Sequence, residues 1–227
     1  MGGGNSQFLK FKTMIKPFLI IIHALRLWWH DWLGMILLNI IWFTLQIPIV
    51  TGPPATAVLY TIAQRSYKDE YWEMSELWDL SRELFFPAWR WAIPNVLFFC
   101  VMAVNIYAYQ NAVGTGWLAL RLIWGTLLAA WAALNIFYWS FWLNQEDKSL
   151  RATYANCYRF FLLNPLPAII LVVFCGALTV GSVLITIPLV AGGVSLLALV
   201  GVTAVQDSLA LEKGKNDAIC PPKIVGR

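Results

Sequence analysis

Two histidines, His23 and His30, are the side chains whose type and spacing best fit cofactor binding. They lie seven residues apart, so in a helix they share one face with Lys16 and Arg26. A neutral imidazole can ligate haem or a chlorophyll-type pigment. The neighbouring cationic side chains favour contact with lipid headgroups instead, and we predict no bound cofactor.

The other reactive side chains form no recognisable catalytic or metal-binding pattern. Glu76, Asp79 and Glu83 lie close together in sequence, but no histidine or cysteine lies beside them, so a solvated helix face is predicted. The sequence has no phosphate-binding loop and no soluble basic surface for nucleic acid. The chain is therefore expected to be non-enzymatic. Four cysteines lack metal or redox spacing and are predicted to be small core residues: Cys100, Cys157, Cys175 and Cys220.

The composition indicates that these residues belong to a membrane protein. Hydrophobic residues make up 59% and charged residues 12% of the chain, and the mean hydropathy is +0.65. Soluble domains carry roughly a quarter charged residues. Apolar runs that cross or nearly cross a bilayer are found at 94–109, 117–143, 167–187 and 189–205. We predict an all-α, polytopic membrane helix bundle of about five spans, with an interrupted first span and interfacial amphipathic helices.

The whole chain, 1–227, is expected to form one membrane domain. Its N-terminal helix carries apolar residues beside the histidine face, and the stripe of Met74, Leu77 and Leu84 would lie against the membrane surface or a partner. The predicted division is an N-terminal interfacial segment at 1–32, the interrupted first span at 33–63, a cytoplasmic amphipathic helix at 64–93, the second and third spans at 94–143, a cytoplasmic connector at 144–166, the fourth and fifth spans at 167–209, and a C-terminal tail at 210–227.

The first span is broken by Gly52, Pro53 and Pro54. Residues 33–50 rise about 27 Å as a helix, close to one hydrocarbon core, whereas residues 55–63 are too few to cross again. One alternative is a re-entrant hairpin, in which the second piece returns as a partial helix with proline at its start. The other is a single kinked span with an external N-terminus.

The placement of lysine and arginine predicts the orientation of the spans. Basic residues flank the first span on both sides and also occupy 144–166 and the C-terminal tail, whereas 110–116 and the connector around Pro188 carry none. The basic segments, including the C-terminus, are therefore expected in the cytoplasm. One simple span cannot have cytoplasmic flanks on both sides, so this pattern favours the re-entrant hairpin.

Small and polar residues inside the spans are predicted to hold helices together. Gly125, Ala129 and Ala133 repeat every four residues on the third span, a pattern that lets helices approach closely in lipid. Ala177 and Gly181 repeat it on the fourth. Either stripe could serve the bundle or a partner, and the internal use is favoured because every bundle needs such contacts. Five polar side chains are expected to bond between helices: Asn39, Gln46, Asn95, Asn105 and Asn135.

A longer pattern surrounds the break and continues towards the fourth span. It consists of Asn39, Pro48, the block Thr-Gly-Pro-Pro-Ala-Thr-Ala at 51–57, Leu59 and Tyr60, an aromatic-rich polar segment, and Asn164-Pro165. In these residues the chain resembles the YesL-like bacterial membrane proteins, a family defined as a domain of unknown function, over nearly its whole length. The resemblance implies about five helices in the bacterial inner membrane, a frequent association with carbohydrate import genes, and no established activity.

Two functions fit these expectations. The preferred one is a non-enzymatic accessory or structural subunit of a larger membrane protein complex, because the chain supplies spans, amphipathic helices and aromatic anchors without chemistry. Its partners would be the lipid bilayer and other integral membrane subunits, with a homo-oligomer as an alternative. The second function is a small permease or regulatory component of a solute (carbohydrate) import system, because interrupted spans build binding sites in transporters.

Overall fold

The computed structural model describes the backbone of residues 4–185 and 192–219, and the side chains of 16–185 and 192–211. These ranges contain helices and connections but no strand, which confirms the predicted all-α class. The helices of the described ranges are α1 Gly4–His30, α2 Trp32–Gln46, α3 Gly52–Tyr67, α4 Glu76–Glu83, α5 Phe85–Ala108, α6 Thr115–Asn144, α7 Leu150–Leu163, α8 Pro165–Ile185 and α9 Val194–Ile219.

Among the described helices, four are long and apolar enough to cross a membrane. They are α5, α6, α8 and the part of α9 from Val194 to Leu211. Helix α2 is apolar but has 15 residues, so it rises about 22 Å, less than a hydrocarbon core. The protein is thus a multi-pass helical membrane bundle. The predicted connector around Pro188 and the end of the C-terminal tail, with Cys220, lie outside the described residues.

Helices α2 and α3 form a hairpin at the predicted break. The Trp42 indole N–H donates to Thr56 Oγ1 at 3.0 Å, fourteen residues further along the chain. One continuous helix would hold such residues about 21 Å apart. At the turn, Thr51 Oγ1 donates to the Leu45 carbonyl at 2.6 Å, and the prolines occupy the first turn of α3. The chain therefore turns back as the re-entrant alternative predicted, and the single kinked span is wrong.

The two ends of this hairpin meet at one end of the molecule. Trp72, which follows α3, donates its indole N–H to Asp31 Oδ2 at 3.3 Å. Asp31 Oδ1 also accepts the Gly34 N–H at 3.2 Å and so caps α2. The basic residues on both sides of the first span thus lie at the same end, which removes the conflict in the charge pattern.

Helix α3 lies at the centre of the bundle, packed against α2, α5 and α9. Its Leu59 and Ile62 side chains are at most 1% exposed. The Tyr60 hydroxyl donates to the Ile136 carbonyl of α6 at 2.9 Å. A Cβ added at Gly201 of α9 would lie 2.8 Å from the same carbonyl oxygen. Three helices therefore converge on one peptide group, and only a glycine lets α9 come so close.

Several predicted boundaries differ from the structure. Helix α5 begins at Phe85 rather than near residue 94, and Pro94 lies inside it, because proline is tolerated in membrane helices whose neighbours satisfy the freed backbone groups. The predicted connector at 144–166 contains α7, whose N-terminus is capped by Ser149 Oγ accepting from Ala152 N at 3.2 Å. The connector at 64–93 is reduced to α4 and its flanking turns.

The two predicted amphipathic helices pack differently from expectation. Leu77 of α4 and the following Leu84 are buried within this chain, and α4 contacts α3 and α5. The prediction that this stripe faces the membrane surface or a partner is therefore wrong for these two leucines. Helix α1 packs on α8 and α9 through Ile20 and Ala24. Its exposed residues are the apolar Phe18, Leu19, Ile22, Leu25 and Trp29 together with Arg26 and His30.

Helices α5 and α6 extend out of the bundle as a hairpin whose outer part we call the arm, residues 96–132. None of the arm residues is buried. At the tip, the Arg121 guanidinium donates to the carbonyls of Tyr109 at 2.7 Å, Gln110 at 3.0 Å and Ala112 at 2.5 Å. This arginine therefore binds the carbonyl groups that follow the C-terminus of α5.

Candidate functional site

The two histidines occupy separate environments. The His23 ring lies 5.5 Å from the Tyr67 ring, whereas His30 is exposed beside an open cavity of about 480 Å³ that Asp31 and Glu70 also line. Seven helical residues separate them by about 10 Å along α1. The described side chains include no group of three His, Cys, Asp or Glu placed to hold a metal ion. The structure thus does not bring the predicted pair together on one ligand.

Asparagine and tryptophan residues connect α5 to α6 through a reciprocal set of hydrogen bonds. Trp91 Nε1 donates to Asn135 Oδ1 at 2.9 Å, and Trp131 Nε1 donates to Asn95 Oδ1 at 2.8 Å. Each asparagine amide donates to the carbonyl of the tryptophan four residues before it, at 2.7 and 2.8 Å. Tyr154 of α7 accepts from Asn95 Nδ2 and donates to Asn135 Oδ1, both at 3.1 Å. The predicted interhelical role of both asparagines is confirmed.

Asn39 of α2 closes the N-terminus of α9. Its Oδ1 atom accepts the backbone N–H groups of Val194 at 3.2 Å and Ser195 at 3.3 Å. The Trp28 indole N–H donates to Ser195 Oγ at 3.2 Å. A free helix N-terminus would attract an anion. Here the side chain of Asn39 occupies that position, so the start of α9 offers no open site.

The Gly-Pro-Pro break is held by its own chain. Gln46 Nε2 donates to the Gly52 carbonyl at 3.3 Å, and a Cβ at Gly52 would lie 2.5 Å from Gln46 Oε1. Pro54 is buried and Pro53 is half-buried. Gln46, Gly52 and Pro53 also border an open groove of about 370 Å³ beside α5. The break thus acts first as the turn of a packed hairpin.

The small-residue stripes mostly face away from the bundle. Gly125 and Ala129 of α6 are exposed, and only Ala133 is buried, at 7% exposure. Ala177 of α8 is exposed and Gly181 half-buried. A Cβ added at Gly125 or Gly181 would meet nothing within 4 Å. Of these residues, Ala133 alone is buried by packing within the bundle. The outer residues of both stripes are open to contact with lipid or a partner.

An amide cluster joins three helices at the end of the molecule where α3 and α6 finish. Asn144 Oδ1 of α6 accepts Gln64 Nε2 of α3 at 2.8 Å and Gln206 Nε2 of α9 at 2.9 Å. Close by on these helices, the Tyr67 hydroxyl donates to Asp207 Oδ1 at 2.6 Å. These bonds fix the relative positions of α3, α6 and α9 at this end of the molecule.

A cavity of about 340 Å³ opens beside the amide cluster, between α6, α7 and α9. We call it the connector pocket. Its polar lining residues, which sequence reasoning did not single out, are Asn144, Gln145, Asn156, Arg159, Asn164 and Ser208. Gln145 Nε2 donates to Asp147 O at 2.6 Å and Thr153 Oγ1 at 2.5 Å, and its Oε1 accepts Asn156 Nδ2 at 2.7 Å. These bonds hold the wall of the pocket in place.

Burial shifts the pKa of two groups near this connector. The Lys148 ammonium donates to the carbonyls of Trp142 at 2.6 Å and Leu143 at 3.4 Å, and desolvation lowers its pKa. Burial raises the pKa of the Cys157 thiol to about 12, so this thiol is inert at neutral pH. Cys175 is also buried and Cys100 is exposed. The prediction of core positions is therefore confirmed for Cys157 and Cys175 and is wrong for Cys100.

Sequence reasoning missed several of the bonded residues. A detectable signal was the repeated spacing of tryptophan four residues before asparagine, at Trp91–Asn95 and Trp131–Asn135. From the sequence alone, the amides of Asn144 and Gln206 would be expected to contact water. Nothing in the sequence near either residue indicates that they pair. Asn105 was predicted to bond between helices, but its amide donates to Val101 O of its own helix at 2.8 Å, and that prediction is wrong.

Comparison of this chain with protein family models, with curated proteins and with solved structures finds no match.

Proposed function

We propose that this chain is a non-enzymatic accessory or structural subunit of a larger membrane protein complex. The observation that supports it most is the outward face of the arm, where Gly125 and Ala129 are exposed and open space surrounds Gly125. Association in lipid depends on close packing, because hydrocarbon tails give little hydrophobic drive between helices. Small residues on an exposed helix face suit the approach of a partner helix.

The use of the polar side chains also supports a role without chemistry. Within the described apolar helices, Asn95 and Asn135 bond to tryptophans, and Asn39 caps α9. A proton relay or a substrate path needs polar groups that are free to exchange partners. These side chains instead form hydrogen bonds that hold the helices together, which is a structural role.

Copurification from native membranes in mild detergent tests this proposal. Ala129→Leu adds bulk to the exposed face without touching the bundle, so we expect loss of stoichiometric partners with unchanged thermal melting. Ala130→Leu is the matched control, since Ala130 is an exposed alanine about 100° around the same helix. The control should keep its partners.

Two results would count against the subunit role. One is a wild-type chain that purifies alone as a monomer from mild detergent. The other is equal retention of partners by Ala129→Leu and Ala130→Leu. This result would show that no partner binds the face of α6 that carries Ala129. A self-association lost only in Ala129→Leu would identify a second copy of the chain as the partner.

The second candidate is a small permease or regulatory component of a solute import system, and the connector pocket favours it. This cavity of about 340 Å³ has the size of a small-molecule site, and both polar and apolar residues line it. Solute-dependent stabilisation of the purified protein, with carbohydrates as first probes, distinguishes this role from that of a passive subunit. We also propose membership of the YesL-like family, location in the bacterial inner membrane, and a cytoplasmic C-terminus.

A further inference from the structure

The connector pocket combines a cationic and amide-rich wall with an apolar wall. Arg159 is the charged residue among those that line it, and no carboxylate is among them. Phe141, Phe160, Leu163 and Leu209 form the apolar part. The pocket therefore carries a net positive charge beside hydrocarbon, which suits a ligand that is both anionic and amphipathic.

Arg159 has no counter-ion within this part of the fold. Arg159 is an exposed residue, and the described residues offer its guanidinium neither a hydrogen bond nor an ion pair. Of the carboxylates close in sequence to the lining residues, Asp147 and Asp207 accept hydrogen bonds elsewhere in the chain, and Glu146, which follows Gln145, is exposed and makes no ion pair with a described residue. Asp207 accepts the Tyr67 hydroxyl at 2.6 Å, and Asp147 accepts Ser149 N at 2.9 Å and Ser149 Oγ at 3.0 Å. The donors of Arg159 are thus available to a ligand.

The polar groups around Arg159 differ in how far they are committed. Asn144 and Gln145 hold the wall through bonds within the chain. The side chain of Asn164, at the junction of α7 and α8, makes no hydrogen bond to another described residue. Arg159 and Asn164 therefore supply the free N–H donors, while Asn156 Oδ1 remains as an acceptor after its amide has bonded Gln145.

The apolar wall is continuous with the outer surface of the bundle. Leu163 is 69% exposed, and Leu166 at the start of α8 is 46% exposed. Helix α8 is one of the candidate spans, so its beginning marks the level where lipid headgroups meet hydrocarbon. A headgroup in the pocket could thus keep its acyl chains along these leucines.

From this arrangement we propose that the connector pocket binds the phosphate group of an anionic amphiphile, supplied by a phospholipid headgroup or by a soluble phosphate ester. A guanidinium fork matches the geometry and charge of a phosphate. The volume of about 340 Å³ leaves room for a glycerol-sized group beside it. This site lies away from the arm and does not depend on the proposed subunit role.

Thermal melting of the full-length protein in a neutral detergent tests the proposal with three probes. Dioctanoyl phosphatidylglycerol carries both phosphate and acyl chains, glycerol 3-phosphate carries phosphate alone, and dioctanoylglycerol carries acyl chains alone. Stabilisation by the first probe only identifies a lipid headgroup as the source. Stabilisation by glycerol 3-phosphate identifies a soluble ester. Either outcome supports the site.

Arg159→Gln should weaken the apparent affinity for the stabilising probe about tenfold or more, since a charge-assisted pair is lost. Arg151→Gln is the matched control, because Arg151 is an exposed arginine on the same helix that does not line the pocket, and it should bind as the wild type does. Asn164→Leu provides a second pocket variant if Arg159→Gln does not fold.

Three outcomes would overturn the proposal. The first is that neither of the two phosphate probes stabilises the protein. The second is equal stabilisation by dioctanoylglycerol and the phospholipid, which would show that the phosphate is not recognised. The third is an equal loss of binding in Arg151→Gln and Arg159→Gln. This result would show that binding depends on the net charge of the surface rather than on Arg159 in the pocket.

Discussion

Asparagine side chains account for much of the polar bonding between the helices of this protein. Asn95 and Asn135 each accept an indole N–H from the opposite helix, Asn144 accepts two glutamines, and Asn39 accepts two backbone N–H groups. An amide is well suited to this use because it offers both donors and an acceptor without a charge. These bonds locate the helices more specifically than apolar contacts can.

At the scale of single residues, Asn39→Leu should destabilise the protein by about 1–2 kcal/mol, because the N-terminus of α9 loses its cap inside the bundle. Thermal melting in detergent measures the change. Asn105→Leu is the control, since Asn105 lies on the arm and bonds only to its own helix. Equal effects of the two substitutions would show that the Asn39 contact contributes little.

The sequence predicted which residues hold the helices together better than it predicted their partners. Asn95 of α5 and Asn135 of α6 were expected to bond between helices, and they do, whereas Asn105 of α5 bonds only to its own helix. Their acceptance of indole N–H groups, and the bridge from Tyr154, depend on the crossing of α5, α6 and α7. The connector pocket was not predicted, because Arg159 and Ser208 come to line one cavity only through the packing of α7 and α9 on α6. No local pattern carries that information.

At the scale of elements, glycine and proline determine where helices turn and where they approach. The Gly-Pro-Pro break was predicted because proline starts a helix readily but does not continue one. The turn also contains Ile49 at φ 61°, a conformation that is unfavourable for a β-branched residue. Its side chain is 72% exposed, so the geometry of the turn, rather than its packing, holds this residue.

Gly201→Ala should destabilise the bundle by about 1–3 kcal/mol, because the added methyl group forces α9 away from the backbone of α6. The clash is with the Ile136 carbonyl oxygen, at 2.8 Å from the added Cβ. Melting temperature in detergent reports the loss. Gly176→Ala serves as the control, since a Cβ there meets nothing within 4 Å, and alanine favours a helix over glycine. A neutral Gly201→Ala would mean that α6 and α9 adjust freely.

Element boundaries were less predictable than element types. Pro94 suggested the start of a span, yet α5 begins at Phe85, because a proline within a membrane helix is accommodated by its neighbours. Helix α7 was missed since its polar and aromatic residues resemble a connector. Its buried face, which includes Cys157 and Phe160, becomes apparent only against α6 and α8.

At the scale of the whole molecule, the hairpin of α2 and α3 sets which ends lie together. The Trp72–Asp31 and Tyr67–Asp207 hydrogen bonds place the segment after α3 and the later part of α9 at one end. The charge pattern predicts that this end is cytoplasmic. We therefore predict that this end of the molecule faces the cytoplasm.

Cysteine labelling with an impermeant maleimide tests this topology. Cysteines introduced at Ser75 and Asn216 should react only after the cells are permeabilised, because both segments carry the basic residues typical of the cytoplasm. A cysteine at Val113, in the connector 110–116 that carries no basic residue, should react in intact cells and serves as the positive control. Labelling of position 75 or 216 in intact cells would reverse the orientation.

The reciprocal bonds between α5 and α6 have a consequence for the order of synthesis. Asn95 leaves the ribosome before its partner Trp131, so its Oδ1 acceptor would meet hydrocarbon without a donor, at a cost, if α5 entered the bilayer alone. We expect the two helices to leave the translocon as a pair, with Tyr154 joining only afterwards. A nascent chain arrested before α6 has emerged should then remain crosslinkable to the translocon, whereas Asn95→Leu should release α5 into lipid earlier.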